Sequence, residues 1–232
     1  MLLEVIAINL SDIAIANKCG VDRIELSPSM SEQGITPSYG LISEALKNSD
    51  IPINVIIRPH DQSFSYNEGD LRAMITDIEM VKQLGANGIV LGALTPDHQI
   101  DERALEKLLK AAEGLEVTFH RAFDFTEDLF QSLETLKKYK EINSILTSGG
   151  ESTVIESVNV LKELSYSLAD SHIELIVCRG LQPENLSGFL DQVNHVGAVH
   201  FGRGIRIQNS YDYDIDQNKI REIKQVLSKY KN

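Results

Sequence analysis

The segment Val117-Thr118-Phe119-His120-Arg121-Ala122-Phe123-Asp124 opens as an alternating strand and closes by crowding an imidazole, a guanidinium and a carboxylate together. In a half-buried strand alternate side chains share a face, so Val117 and Phe119 point into an apolar layer while Thr118 and His120 point the other way. That second face is a polar interior, and burying polar groups is costly unless they are paired or put to use. The chemistry such a segment suits is proton transfer beside an anion, with His120 as acid or base, Arg121 holding negative charge and Asp124 completing the cluster.

Other groups of the same kind recur at the ends of short apolar runs. Reading each run at period two puts Leu3 and Val5, Ile24 and Leu26, Val55 and Ile57, Ile89 and Leu91, and Val199 and Phe201 on one face. Their neighbours then share the opposite face, and these include Glu4, Glu25, Arg58, His120 and His200, with Thr147 and Cys178 at or near the rim. Ionisable groups converging from separate strands shift one another's pKa values and bind or transform ligands. An enzyme built this way uses Glu25 or His120 as general base or acid, Arg58 and Arg121 to hold an anionic group, and Glu4 to orient or tune them. The plainer alternative for Glu4 is a satisfied buried pair with Arg23 or Arg58.

The elements that must position these groups alternate. Strands are predicted near residues 2–8, 22–26, 53–58, 88–92, 116–121, 144–147, 173–178 and 198–201, each followed by a helix-like segment. That rhythm predicts an α/β fold, a TIM-like (β/α)8 barrel forming a single domain over residues 1–232. Helix starts are expected at Thr36 before Pro37, at Asp101, at Thr126 and near Asp214. The longer polar segments 27–33, 60–69 and 203–213 follow strands two, three and eight, where a barrel builds its ligand-holding mouth.

Three glycine-containing turns suggest an anion subsite: Thr147-Ser148-Gly149-Gly150, Cys178-Arg179-Gly180 and Gly202-Arg203-Gly204. Their backbone amides and the guanidinium groups of Arg179 and Arg203 suit a phosphate or carboxylate handle. For a metal, Cys178 is the one sulfur ligand expected at the mouth, with His120 and His200 as partners. Glu4, Glu25 and His120 suit a harder divalent ion, which the nearby arginines oppose. Cys19, before Gly20, is read as a buried small side chain, and His60, His98, His172 and His195 as loop or surface residues.

Composition excludes several classes. With 34 acidic against 22 basic residues the net charge is -12, which argues against nucleic acid or an anionic membrane as the main partner. No apolar run approaches the roughly 20 residues of a membrane span, and the expected location is the cytoplasm. The expected partner is a small molecule or a metal ion. Barrels of this kind often associate, so a homodimer is the expected assembly.

The motifs RIEL at 23–26, GITPSYG at 34–40, IIRP at 56–59 with Phe64 and Tyr66, GIVLGALT at 88–95, TFHRAFD at 118–124 and ILTSGG at 145–150 give the chain a further reading. Together they resemble the CutC family, named for copper homeostasis. The resemblance implies a TIM-like barrel, a cytoplasmic protein and copper(I) as the associated cofactor or ligand. Members commonly carry Cys directly after RIEL, where this chain has Ser27, and often Arg after IRP, where it has His60. Three functions follow: a copper-homeostasis protein that binds Cu(I) or acts indirectly; a lyase or isomerase on a small anionic or sugar-like metabolite; and a noncatalytic small-ligand binder. Oxygen and nitrogen groups dominate the expected mouth and favour the second on physical grounds, whereas the family resemblance favours the first, with the enzyme as the alternative.

Overall fold

Runs rich in β-branched residues, each ending in turn chemistry, set the strands in this computed structural model, which describes residues 1–230. The strands are β1 (Leu2–Ala7), β2 (Arg23–Leu26), β3 (Ile53–Ile56), β4 (Gly88–Leu91), β5 (Glu116–Phe119), β6 (Ile142–Thr147), β7 (Glu174–Cys178) and β8 (Val196–Phe201). All pair in parallel, in chain order, and β8 returns to β1 to close the barrel. Helices α1 (Leu10–Cys19), α2 (Tyr39–Asn48), α3 (Glu68–Gln83), α4 (Glu102–Ala111), α5 (Leu129–Leu136), α6 (Val158–Leu168), α7 (Pro183–Leu190) and α8 (Gln217–Leu227) follow the strands in turn. The (β/α)8 architecture is therefore as expected, and among the described residues no helix is long and apolar enough to cross a membrane.

The period-two partition also holds. Leu3, Val5, Ile24, Leu26, Val55, Ile89, Leu91, Val117, Phe119, Val199 and Phe201 are buried in the layer between strands and helices. Inside the barrel Leu146, Ile176, Cys178 and Ala198 form an apolar patch on the β6–β8 side. Polar groups share the interior, with Glu4, Arg23, Glu25, Asn54, Thr118, Ser144 and His200 all buried, alongside Ile6 and Ile56.

Several boundaries differ from the sequence reading. β3 and β5 stop before Arg58 and His120, and at the end of β5 His120 turns out of the strand to cap a 3-10 turn, Arg121–Phe125. The cap of α2 is Ser38, whose Oγ accepts from the Leu41 amide. Thr36 is unavailable for that role: its Oγ1 accepts from the Arg58 amide at 2.9 Å, and its own amide donates to the Arg58 carbonyl at 2.9 Å. Asp101 caps α4 as expected, through the Ala104 amide. Asp128, not Thr126, caps α5, and Asp216 caps α8, starting it two residues beyond the expected point. These caps satisfy amide donors that a helix start leaves open.

Candidate functional site

A pocket of about 350 Å³ opens at the C-terminal mouth of the barrel, lined by groups from five strand ends: Glu25 on β2, Arg58 beyond β3, His120 and Arg121 beyond β5, and Cys178 and His200 on β7 and β8. Arg179 and Arg203 stand at its rim. A wider hollow of about 890 Å³ lies at the opposite end of the barrel, against Leu2, Val196 and α8. It gathers none of the strand-end groups, so the chemistry belongs to the smaller pocket.

His120 is fixed at both ends of its ring's surroundings. Its backbone amide continues the ladder to the Leu91 carbonyl at 2.7 Å, and its Nδ1 accepts from the Ala122 amide at 3.1 Å. Nδ1 therefore carries no proton in the neutral ring, and the proton sits on Nε2. Nε2 is buried without a protein partner. Burial first, then the positive charges of Arg58 and Arg121, push the His120 pKa down to about 3. Phe64 packs 5.0 Å from the ring, centroid to centroid. Gly92 makes the position feasible, since a β-carbon there would lie 2.6 Å from Nδ1. Register pairs Leu91 with Phe119, so Gly92 and His120 are the next pair along, a small residue beside a ring.

Glu25 and Glu4 behave differently although both lie inside the barrel. Glu4 pairs across the sheet with Arg23 on one side and His200 on the other. Its carboxylate accepts from Arg23 Nε and from His200 Nδ1, the latter at 2.7 Å. Burial alone would raise the Glu4 pKa, but the hydrogen bond and charge of His200, together with Arg23, hold it down to about 2. The same pair works in reverse on His200: burial opposes its charge, but Glu4 and Glu25 outweigh burial and raise its pKa. Glu4 does not line the pocket. It is the satisfied buried pair that the sequence offered as its plainer role, and it acts on the site through His200. Glu25 keeps one carboxylate oxygen, Oε2, buried and unpartnered, 3.9 Å from His200 Nδ1. Burial raises the Glu25 pKa and the Glu4 charge adds to the rise, against the pull of His200.

Asp124 overturns one expectation. The turn Thr147-Ser148-Gly149-Gly150 does cradle an anion, but the anion is the protein's own. Asp124 accepts from Thr147 Oγ1, from the Ser148 amide at 3.0 Å, from Ser148 Oγ at 2.9 Å and from the Gly150 amide at 3.2 Å. Its other task is an ion pair with Arg121 Nε at 3.0 Å. Thr147, Ser148 and Gly149 are thus not free to bind a ligand: the Gly149 amide is taken by Thr147 Oγ1 at 2.8 Å. Asp124 is a positioning group for Arg121 rather than a reacting one.

Arg58 is buried and held by carbonyls alone, donating to Glu32, to Gly34 at 2.9 Å and to Asp61 at 3.2 Å, with its Nε unpartnered. Its guanidinium lies 4.9 Å from the Phe64 ring centre. Phe64 and Tyr211, which also line the pocket, were not picked out from sequence as site residues. Tyr211 comes from the loop after β8, and Arg206 secures that loop through a buried ion pair with Asp12 at 2.6 Å while stacking 4.7 Å from the Tyr211 ring. The one local signal is Gly202, where a β-carbon would lie 2.1 Å from the Tyr211 hydroxyl.

The donors fit copper(I) poorly. Cys178 is buried, and burial pushes its thiol well above the usual range, which disfavours the thiolate that soft metals bind. Among the described residues Cys178 does not come together with His120 and His200 as a ligand set. Among the described residues the one trio of His, Cys, Asp or Glu side chains close enough to share an ion is Glu4, Glu25 and His200, with ligand atoms all within 4.8 Å. That set offers two oxygens and one nitrogen, and Arg23 already holds Glu4. Of the histidines read as peripheral, His98, His172 and His195 are exposed, while His60 is half-buried against Asp70 at 3.4 Å. Cys19 is half-buried rather than enclosed.

Fold and site together define a closed (β/α)8 barrel with a basic, partly buried pocket at its C-terminal mouth. The family model of the CutC family matches residues 1–205. A CutC family protein of Pasteurella multocida is 36% identical over 247 aligned residues, covering 99% of this chain and 100% of the relative. The crystal structure of a CutC from Streptococcus agalactiae, named for copper homeostasis, superposes with a TM-score of 0.79 at 35% identity, covering 87% of this chain and 98% of that one. The chain belongs to the CutC family. A more distant likeness, to 3-hexulose-6-phosphate synthase from Salmonella typhimurium at 15% identity and a TM-score of 0.64, covers both chains fully and reflects the shared barrel alone.

Proposed function

We propose that this protein is a lyase or isomerase that moves a proton on a small anionic or sugar-like metabolite, and that the family's link to copper homeostasis is indirect. One observation carries the reading: a buried, unpartnered carboxylate oxygen, Glu25 Oε2, and a buried, unpartnered imidazole N–H, His120 Nε2, belong to side chains that line the same arginine-rich pocket. Orphaned polar atoms in a cleft are expensive and mark where a ligand completes the hydrogen bonding.

The roles follow from the geometry. Glu25, its pKa raised by burial, takes a proton from a carbon beside a carbonyl. The electron pair left behind moves to the carbonyl oxygen. His120, neutral across the working pH range, donates its Nε2–H to that oxygen, a task for which an uncharged imidazole serves well. Arg58 and Arg121 stabilise the developing negative charge. Returning the proton to a neighbouring atom gives isomerisation, and expelling a leaving group gives a lyase. Cys19 and Cys178 are free thiols, which suits the reducing cytoplasm in which we place this work.

The test is solvent exchange. Short oxo and hydroxy acids and simple sugars and their phosphates are incubated with the protein in D2O, and carbon-bound deuterium is followed by NMR. The expected result is catalysed exchange on at least one class, reduced at least about 100-fold in Glu25→Gln and in His120→Gln. No exchange with any probe, or exchange undiminished in Glu25→Gln, overturns the reading.

A further inference from the structure

Building on that reading of the pocket, we infer that the substrate is a compact two-headed anion, with a phosphate-type oxyanion at Arg179 and Arg203 and a carbonyl or carboxylate oxygen at Arg58 and His120 on the far side. The barrel closes in chain order, so β3 and β7 face each other across it. Arg58 follows β3 and Arg179 follows β7, which puts cationic groups on opposite walls of a pocket of about 350 Å³. Ile6, Ile56 and Leu146 line the pocket as well, and such apolar surface suits a short carbon chain. This volume lies at the small end of ligand sites, which run from roughly 300 to 1,000 Å³.

The charge balance points to more than one negative charge. Arg23, Arg121 and Arg206 have carboxylate partners in Glu4, Asp124 and Asp12, whereas among the described residues Arg58, Arg179 and Arg203 have none. Three uncompensated guanidinium groups at one mouth are unexpected in a chain whose net charge is -12. Burial and the charges of Arg121 and Arg203 all disfavour the protonated state of Arg179, as expected of a cluster lacking its counterion.

The β7 end also carries backbone strain. Arg179 adopts φ 71°, a conformation that side-chain-bearing residues avoid, and Gly180 follows at φ 79°. The Arg179 carbonyl is held there by the Val154 amide at 3.1 Å. The amide cradle after β6 is filled by Asp124, which leaves the β7 and β8 loops to take an exogenous oxyanion. Two neighbouring guanidinium groups suit a phosphate monoester, because planar donor forks match its oxygens and two charges meet two.

Calorimetric titration of the full chain with inorganic phosphate, glycolate, succinate and 2-phosphoglycolate separates the outcomes. The expected result is that 2-phosphoglycolate binds at least tenfold tighter than inorganic phosphate or glycolate. In Arg179→Gln and Arg203→Gln, both exposed positions that folding tolerates, phosphate and 2-phosphoglycolate both weaken at least tenfold. In Arg58→Lys, which keeps the charge but loses the planar fork, 2-phosphoglycolate weakens while phosphate does not. Equal affinity for phosphate and 2-phosphoglycolate overturns the second head. Tighter binding of succinate, or indifference to the rim substitutions, overturns the phosphate head. If 2-phosphoglycolate binds as expected while no probe exchanges deuterium, the two-headed site stands and the proton-transfer reading fails.

Discussion

The Asp124 carboxylate sits in the amide and hydroxyl cradle of the β6 turn and points its remaining capacity at Arg121, 3.0 Å away. The turn thus holds a built-in anion that fixes a guanidinium at the pocket wall. Its side chain is only 2% exposed, so the donors around it have no water to fall back on.

Asp124→Asn is therefore expected to destabilise the protein by about 2–4 kcal/mol, because an amide NH2 would confront the Ser148 donors and Arg121 would lose its counterion. Urea denaturation at neutral pH measures this. A loss below about 0.5 kcal/mol would show that the cradle relaxes freely and that the Asp124 contacts carry no stability.

Glu4 makes stability depend on pH. Its folded pKa of about 2 lies below the ordinary 4.5, so its contribution is fully present above about pH 4.5 and disappears as pH falls through 2. The size is roughly 3 kcal/mol at most by linkage. His200 has the opposite sign: its raised pKa stabilises the fold below its unfolded value of 6.5, and that contribution is lost as pH climbs through the raised value. Chemical denaturation from pH 2 to 9 should show stability falling at both ends. In Glu4→Gln the fold should be weaker at neutral pH, with the acid-side slope flattened; an unchanged acid slope would dissociate Glu4 from the network.

The barrel and its inward face were legible because period two is strong in eight short apolar runs, and the register follows from that alternation. Glu4, Glu25, His120 and His200 were found for the same reason. What alternation cannot reveal is pairing. That Asp124 fills the glycine turn depends on a contact 24 residues away in sequence, and Tyr211 reaches the pocket only because Arg206 and Asp12, 194 residues apart, lock the last loop. Thr36 reads as a helix cap until the backbone of Arg58 is seen to claim it.

His120 should keep its proton on Nε2 and remain neutral to about pH 4, since its pKa is near 3. Nitrogen-15 chemical shifts of the imidazole report both the tautomer and the titration, and an imidazolium signal at pH 6 would contradict the assignment. Gly92→Ala tests the same geometry from the other side. Its β-carbon would come within 2.6 Å of Nδ1 and 3.1 Å of the Ala122 β-carbon. The expected result is a displaced ring with altered shifts and a stability loss of about 1–3 kcal/mol.

Cys178→Ser should leave copper(I) affinity unchanged. The thiol is 2% exposed, its pKa is raised by burial, and among the described residues no His, Cys, Asp or Glu groups with it as a ligand set. A thiolate is the form that binds copper(I), so a buried protonated thiol competes poorly with a chelator. Anaerobic titration of the reduced protein against a chelator of known affinity compares the two forms. Cys19→Ser run alongside accounts for the half-buried thiol outside the pocket. Tight one-to-one binding lost only in Cys178→Ser would place copper directly at the barrel mouth. It would mean that the buried pocket opens to admit the metal and a deprotonated thiol, and the copper name would then describe a ligand of this site instead of a consequence of its chemistry.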